Sequence, residues 1–115
     1  MADTDRPTHI DILITCGSDD EAHTIAAALV ERRVAACVKA MPIRSVYRWD
    51  GELQDDREVL LIVTTTADRY DDAVATTTEL HSYEVPAVTA VPIIAGTLPY
   101  LDWVTSETER PAAAG

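Results

Sequence analysis

The chain has 115 residues, 47 % of them hydrophobic and 25 % charged, which fits one globular domain and excludes intrinsic disorder. Twenty acidic residues against nine basic ones give a formal net charge of -11, which excludes a cationic surface for a nucleic-acid backbone or an anionic membrane. No apolar run approaches the roughly 20 residues that a membrane helix needs.

The two cysteines point to a reducing compartment. Cys16 and Cys37 form no C-x-x-C unit and are too few for a disulfide scaffold, so we expect free thiols. The first eight residues are polar and lack the apolar segment of a secretory signal. We therefore expect a cytoplasmic protein with one domain at 9–106, a disordered tail at 1–8 and a flexible tail at 107–115.

The first half of the chain predicts a strand, a helix and a long strand. Residues 9–15 are rich in aliphatic side chains and predict a strand. Ser18 and Glu21 have the spacing of a capping box, and apolar residues follow at helical spacing. Residues 34–49 predict one long strand, interrupted at Pro42 because proline removes a donor from the strand ladder and favours a bend or bulge.

The second half predicts a turn, two strands and two helices. An Asp-Gly pair at 50–51 predicts a chain reversal, and 57–66 form an apolar strand that is covered on both faces. A second amphipathic helix is predicted over 70–80, a strand over 87–95 and a short last helix over about 99–106. The order β-α-β-β-α-β with a C-terminal helix predicts an α+β, ferredoxin-like split βαβ sandwich, a fold that hosts many functions.

Six segments of the sequence carry a family resemblance. They run in register from about residue 10 to residue 105 and read TCGSDDEA (15–22), ERRVAACV (31–38), SVYRWDGEL (45–53), EVLLIVTT (58–65), HSYEVP (81–86) and PYLDWV (99–104). No single segment is diagnostic, but six in order make a chance match improbable. The chain resembles the divalent-cation tolerance family, CutA.

The resemblance implies a ferredoxin-like protomer in a compact homotrimer, in which long strands of neighbouring subunits pair. The length of 34–49 agrees with this, because a small four-stranded sheet cannot use so long a strand internally. The resemblance also implies a role in tolerance of copper and other divalent cations, with Cu(II) or another divalent cation weakly bound. An enzyme is not expected, since the sequence has no G-x-S-x-G, phosphate-loop or dinucleotide-binding motif.

The chain departs from the family pattern at five positions. Lys39 stands where the family usually has Asn, Thr64 where it has Lys, Ala87 where it has Glu, and Gly17 and Ser82 where it has Pro. A cation lost at 64 and gained at 39 would be compensating if both side chains reach the same cleft. The missing acid at 87 weakens any metal site that relied on it.

The candidate metal ligands are Cys16, His81 and Glu84. Thiolate, imidazole and carboxylate groups together suit copper or zinc. Cys16 lies beside a helix N-terminus, where a thiolate would be stabilised, although it can equally be a structural residue. His81 can instead be a cation at the C-terminus of a helix, stabilising the helix dipole.

The alternative function is a small-molecule effector or signalling module, because related trimers bind effectors in clefts between subunits; a purely structural assembly is a third possibility. Glu58 marks a cleft, since a carboxylate near the interior needs a partner such as Arg48 or Lys39. Trp49 can cap that cleft or pack against a neighbouring subunit, and Cys37 can be a buried small hydrophobe instead. The candidate cleft residues are Cys37, Lys39, Arg48, Trp49, Glu58, Thr64, Tyr83 and Tyr100.

Overall fold

A four-stranded antiparallel sheet with two helices packed on one face forms the body of the molecule. The computed structural model describes residues 9–110. The elements are β1 (His9–Cys16), α1 (Asp19–Glu31), β2 (Cys37–Trp49), β3 (Glu52–Thr66), a 3-10 turn (Ala67–Arg69), α2 (Tyr70–Leu80), β4 (Val88–Pro92) and α3 (Leu98–Glu107). The strand order β2-β3-β1-β4 confirms the α+β, ferredoxin-like arrangement.

The hydrophobic core lies between the sheet and helices α1 and α2. Successive side chains of a strand point to opposite faces, so alternate residues of β1 are buried in this core. Ile25 and Leu29 of α1 pack against them, with Ala73 of α2. The core residues from β1 are Ile10, Ile12, Ile14 and Cys16. Cys16 therefore sits at the end of a buried strand row, directly before the loop into α1.

Strand β2 is continuous through Pro42. It pairs with β3 from Cys37 opposite Thr64 to Trp49 opposite Glu52, with one partner for every residue. The predicted interruption at Pro42 is therefore wrong. β2 is the edge strand of the sheet, and an edge strand accommodates proline because alternate N–H groups point away from the neighbouring strand.

The hairpin between β2 and β3 reverses at the predicted turn. Asp50 and Gly51 have φ values of 53° and 77°, the left-handed pair that a tight two-residue hairpin turn needs. Pairing resumes at once, so β3 begins at Glu52 and is longer than the predicted 57–66. The long hairpin carries aromatic and charged side chains beyond the helix-covered core.

The packed chain extends past the predicted domain boundary at 106. Helix α3 ends at Glu107, and Thr108 is buried, with its hydroxyl donating to the carbonyl of Val104 at 2.8 Å. Arg110 lies 3.2 Å from the carboxylate of Asp72. The predicted C-terminal tail therefore does not begin at 107, and its remainder at 111–115 lies outside the described residues, as does the predicted tail at 1–8.

The helices of 9–110 are all short. None of them is both long enough and apolar enough to cross a membrane.

Candidate functional site

Three side chains that can ligate a metal converge where β1 ends. Cys16 is the last residue of β1, Glu21 lies in the first turn of α1, and His81 follows the last residue of α2. One ligand atom from each lies within 4.8 Å of the others. The side chain of His81 is fully buried and that of Glu21 is 16 % exposed. The predicted ligands Cys16 and His81 are thus brought together, with Glu21 as the third member.

The imidazole of His81 makes two hydrogen bonds to backbone groups. Its Nε2–H donates to the carbonyl of Thr15 at 2.7 Å, and its Nδ1 accepts from the backbone N–H of Tyr83 at 3.1 Å. A carbonyl can only accept and an amide can only donate, so the ring proton sits on Nε2.

The carboxylate of Glu21 has an oxygen without a hydrogen-bond partner. The Ser18 hydroxyl accepts from the Glu21 N–H at 3.2 Å, as the capping box predicts, but the Glu21 side chain does not return to Ser18. Its Oε2 accepts from the N–H of Ser82 at 3.2 Å, while Oε1 is buried and unpaired, 3.3 Å from His81 Nδ1. Two hydrogen-bond acceptors therefore face each other, an arrangement that a cation between them would relieve.

Cys16 is a protonated thiol at neutral pH. Burial raises its pKa to about 11, and the nearby carboxylates of Glu21 and Glu58 add to the rise. The expected stabilisation of a thiolate by the helix N-terminus is wrong, because burial and two negative charges outweigh it. A metal that binds this sulfur has to displace a proton.

Glu84, the third predicted ligand, is not part of this group. A bend at 83–85 separates it from His81, and its side chain is exposed. Glu21 was not predicted as a metal ligand, because the capping box with Ser18 already explained a glutamate at this position. The signal that could have found it was its place three residues after the loop that follows Cys16, beside a predicted ligand.

An open groove of about 650 Å³ adjoins the three-residue group. Strand β2 contributes side chains from alternate positions, and the segment after α2 contributes the opposite wall. Glu58 of β3 lies between them, pairing with Ile43 of β2. The lining residues are Thr15, Ser45, Tyr47, Trp49, Glu58, Ser82, Tyr83, Glu84, Val85 and Ala87. Three of the predicted cleft residues, Trp49, Glu58 and Tyr83, therefore meet in one groove.

Glu58 is paired with a phenol and not with a cation. It is 6 % exposed, and its Oε2 accepts from the Tyr83 hydroxyl at 2.6 Å. This hydrogen bond, with burial adding to it, raises the pKa of Tyr83. The predicted partners lie elsewhere: Arg48 donates to the carbonyl of Gly51 at 3.3 Å, and Lys39 is exposed.

The other predicted cleft residues do not line the groove. Cys37 is half-buried opposite Thr64, and the Thr64 hydroxyl donates to Asp11 at 2.6 Å. Lys39 lies two residues from Cys37 and therefore points to the same face of the sheet. Because Cys37 is opposite Thr64, positions 39 and 64 are near each other, but neither lines the groove. Tyr100 lies on α3 with its ring 5.8 Å from that of Trp103.

Six of the lining residues were not predicted as site residues: Thr15, Ser45, Tyr47, Ser82, Val85 and Ala87. Tyr47 lies on the same strand face as Trp49, and the alternation of side chains along β2 is the signal that could have identified it. Gly17 packs directly on Tyr83, since a Cβ at this position would lie 2.7 Å from the Tyr83 hydroxyl oxygen. The missing side chain at position 17 therefore leaves the room that the Tyr83 ring occupies.

Comparison with known proteins places these residues in a family. Residues 10–107 match the family model described as CutA1 divalent ion tolerance protein. The divalent-cation tolerance protein CutA of Thermus thermophilus is 46 % identical over 98 residues, covering 84 % of this chain and 95 % of that protein. Human protein CutA is 40 % identical over 97 residues, covering 84 % of this chain and 54 % of its own length.

Solved structures agree with the sequence relatives. The Thermus thermophilus divalent cation tolerance protein superposes with a TM-score of 0.85 at 44 % identity, covering 88 % of this chain and 99 % of that one. The periplasmic divalent cation tolerance protein CutA from Archaeoglobus fulgidus gives a TM-score of 0.86 at 36 % identity, with the same coverage of 88 % and 99 %. With the same fold and matching residues over 10–107, the chain belongs to the CutA1 divalent ion tolerance family.

Proposed function

We propose that this chain binds a divalent cation through Cys16, Glu21 and His81. The observation that carries the proposal is the buried, unpaired Oε1 of Glu21, which faces the acceptor Nδ1 of His81 at 3.3 Å. Leaving a buried carboxylate oxygen unpaired is destabilising by roughly 1–3 kcal/mol or more. A cation placed between the two acceptors removes this cost, and the divalent ion tolerance family is a fitting context for it.

We propose copper as the preferred metal, bound weakly. Imidazole and thiolate ligands suit both copper and zinc, and Cu(II) stands at the top of the affinity order of first-row divalent ions. Two features weaken the binding: the Cys16 thiol must lose its proton, and His81 Nδ1 must give up the Tyr83 N–H. Because the same ligand types also suit zinc, the site is expected to bind Zn(II) as well, at lower affinity than Cu(II).

The test is an anaerobic calorimetric titration of the full chain with Cu(II) and with Zn(II). Glu21→Gln and Cys16→Ser are each expected to weaken binding at least tenfold. The matched controls are Glu31→Gln, an exposed carboxylate on the same helix, and Cys37→Ser, the other thiol; both are expected to bind like the parent. If the two site variants bind Cu(II) as tightly as the parent, the proposed site is wrong.

We propose that binding, and not catalysis, is the role of this site. The Cys16 thiol, whose pKa is raised to about 11, carries almost no nucleophilic thiolate at neutral pH. His81 has both ring nitrogens engaged and so has no free nitrogen with which to move a proton. Hydrolysis of nitrophenyl ester or phosphate substrates at a rate that His81→Gln abolishes would overturn this.

We propose that the functional unit is a homotrimer. The edge strand β2 has 13 residues with no strand on its outer side in residues 9–110, and such an edge is suited to pairing with another chain. Large apolar side chains are also exposed: Val46 at 63 %, Leu53 at 68 % and Ile94 at 95 %. Light scattering is expected to give three times the mass of the 12.5 kDa chain, and a monomer at micromolar concentration would contradict the proposal.

We propose a cytoplasmic location, supported by the two free cysteines, Cys16 and Cys37. Fractionation of cells expressing the full-length gene tests it, and recovery outside the cytoplasm would contradict it.

The second candidate function is a small-molecule effector module, and the groove between β2 and the segment after α2 favours it. A cavity of about 650 Å³ is of the size that small ligands occupy. Titration with a panel of metabolites in the absence of metal separates this function from metal binding.

A further inference from the structure

Glu58 is a buried carboxylate at the base of the groove without a cation to balance it. Only 6 % of the residue is exposed, and the partner of its Oε2 is the neutral phenol of Tyr83. Its Oε1 makes no hydrogen bond with any residue in 9–110, and no arginine or lysine there forms an ion pair with it. A buried charge without a counter-charge is costly and is usually paired. The open side of Glu58 faces the groove.

The walls of the groove are aromatic. Trp49, 51 % exposed, and Tyr47 stand on one side, and Tyr83 stands on the other. The Tyr47 hydroxyl donates to Asp56 at 2.7 Å, and this bond fixes the Tyr47 ring. The faces of such rings carry negative potential and attract a cation placed within about 6 Å of the ring centre. Rings around a carboxylate therefore select for a positively charged group.

The remaining lining residues favour the same charge and add an apolar surface. Glu84 brings a second carboxylate, and none of the described lining residues is a lysine or an arginine. Within this chain, an anionic ligand would find no counter-charge among the lining residues. Val85, which is 65 % exposed, offers an apolar contact, and the hydroxyls of Thr15 and Ser45 can accept hydrogen bonds.

We propose that this groove binds a small organic ammonium ion with an apolar body. The ammonium N–H groups donate to the free oxygen of Glu58, the charge lies against the aromatic walls, and the apolar body rests on Val85. A hydrated metal ion fits this surface poorly, because hard divalent cations take several oxygen ligands and gain little from aromatic rings. The groove is therefore a second site, separate from Cys16, Glu21 and His81.

Three compounds of one shape and different charge test the proposal. The full chain is titrated by calorimetry with 2-phenylethylamine, 2-phenylethanol and 3-phenylpropionate at pH 7, with a chelator present so that metal binding plays no part. The amine is expected to bind at least tenfold more tightly than the alcohol, because hydrogen bonds to charged groups contribute more than neutral ones. The acid is expected not to bind. Equal binding of the amine and the alcohol would overturn the proposal.

Variants then locate the site. Glu58→Gln is expected to weaken amine binding about tenfold. The control is Glu31→Gln, which makes the same change in net charge at an exposed position of α1 and should leave amine binding within twofold of the parent. Trp49→Leu, at an exposed position outside the core, is expected to weaken the amine severalfold and the alcohol less. Amine binding that neither Glu58→Gln nor Trp49→Leu weakens would overturn the proposal.

Discussion

The hydroxyl of Tyr83 and the carboxylate of Glu58 are joined by a 2.6 Å hydrogen bond that ties the segment after α2 to the sheet. The same tyrosine donates its backbone N–H to His81 Nδ1 at 3.1 Å, and its ring lies 4.8 Å from the imidazole. Tyr83 therefore belongs both to the groove and to the surroundings of the proposed metal site.

Removing the Tyr83 hydroxyl should destabilise the fold. Tyr83→Phe leaves the buried Glu58 carboxylate without its donor, and a hydrogen bond to a charged group contributes about 1.5–3 kcal/mol. We expect the free energy of unfolding, measured by urea denaturation, to fall by about that amount. Tyr100→Phe is the matched control, because Tyr100 has the same 38 % exposure, and it should change stability by less than about 0.5 kcal/mol. Equal effects of the two changes would contradict the role of this bond.

A methyl group at position 17 should disturb the same bond. Because a Cβ there would lie 2.7 Å from the Tyr83 hydroxyl oxygen, Gly17→Ala must push the phenol away from Glu58. We expect Gly17→Ala to lower the free energy of unfolding by roughly 1–3 kcal/mol, the usual range for overpacking.

A double-mutant cycle isolates this contact. In a Tyr83→Phe background the hydroxyl is absent, so Gly17→Ala should cost less than it does in the parent chain. Additive effects of the two substitutions would show that Gly17 does not act through Tyr83.

Stability should fall as the pH rises above 9. The pKa of Cys16 is raised from its ordinary 9.0 to about 11, so between these values the folded chain holds a proton that the unfolded chain releases. This stabilisation is complete below pH 9 and is lost as the pH rises through 11. Because the Cys16 pKa is raised from 9.0 to about 11, the free energy of unfolding should fall by roughly 2–3 kcal/mol over this range.

The Cys16→Ala variant removes this contribution and no other titrating group. The pKa values of Tyr47 and Tyr83 are also raised, so these tyrosines make stability fall with rising pH in the parent and in the variant alike. The difference between the two proteins therefore reports Cys16 alone. We expect urea denaturation at pH 8 and pH 10.5 to show a smaller pH dependence in Cys16→Ala. The same pH dependence in both proteins would contradict the raised pKa.

Metal binding at His81 should be visible at the amide of Tyr83. A cation on Nδ1 replaces the 3.1 Å hydrogen bond from the Tyr83 N–H, so hydrogen exchange of this amide should accelerate and its proton resonance should move upfield when Zn(II) is added. The amide of Glu31, at the far end of α1, serves as the control. An unchanged Tyr83 amide at saturating Zn(II) would show that Nδ1 is not a ligand.

Much of the fold was predictable because it rests on local patterns. The aliphatic run at 9–15 and the helical spacing over 70–80 correspond to β1 and α2, and the Asp-Gly pair at 50–51 marks the observed hairpin turn. The prediction of a bulge at Pro42 was wrong, because the effect of a proline on a strand depends on the position of that strand in the sheet. Only the assembled sheet shows that β2 is an edge strand.

The proposed site was predictable only in part. Residue type and position alone pointed to Cys16 and His81, and to Trp49, Glu58 and Tyr83. The partners of these residues were not predictable, because they come from segments far apart in the chain: Glu21 reaches His81 across 60 positions, and Tyr83 reaches Glu58 across 25. The ion pair expected for Glu58 with Arg48 or Lys39 failed because Arg48 lies on the opposite sheet face, and Lys39 pairs with Ile62, four residues along the strand from Glu58.

The sequence by itself determined the order of the elements, the family, the acidic charge and the residue types available for chemistry. The order of the elements and the charge follow from short-range periodicity and composition, and the family follows from the resemblance of six segments in register. None of these needs knowledge of distant contacts. The tertiary structure alone decided that Cys16 stays protonated, that Glu21 carries an unpaired buried oxygen and that Glu58 faces a groove without a counter-charge. Burial and pairing are properties of the folded neighbourhood, and a charged group changes its behaviour according to which groups the fold brings within a few ångströms of it.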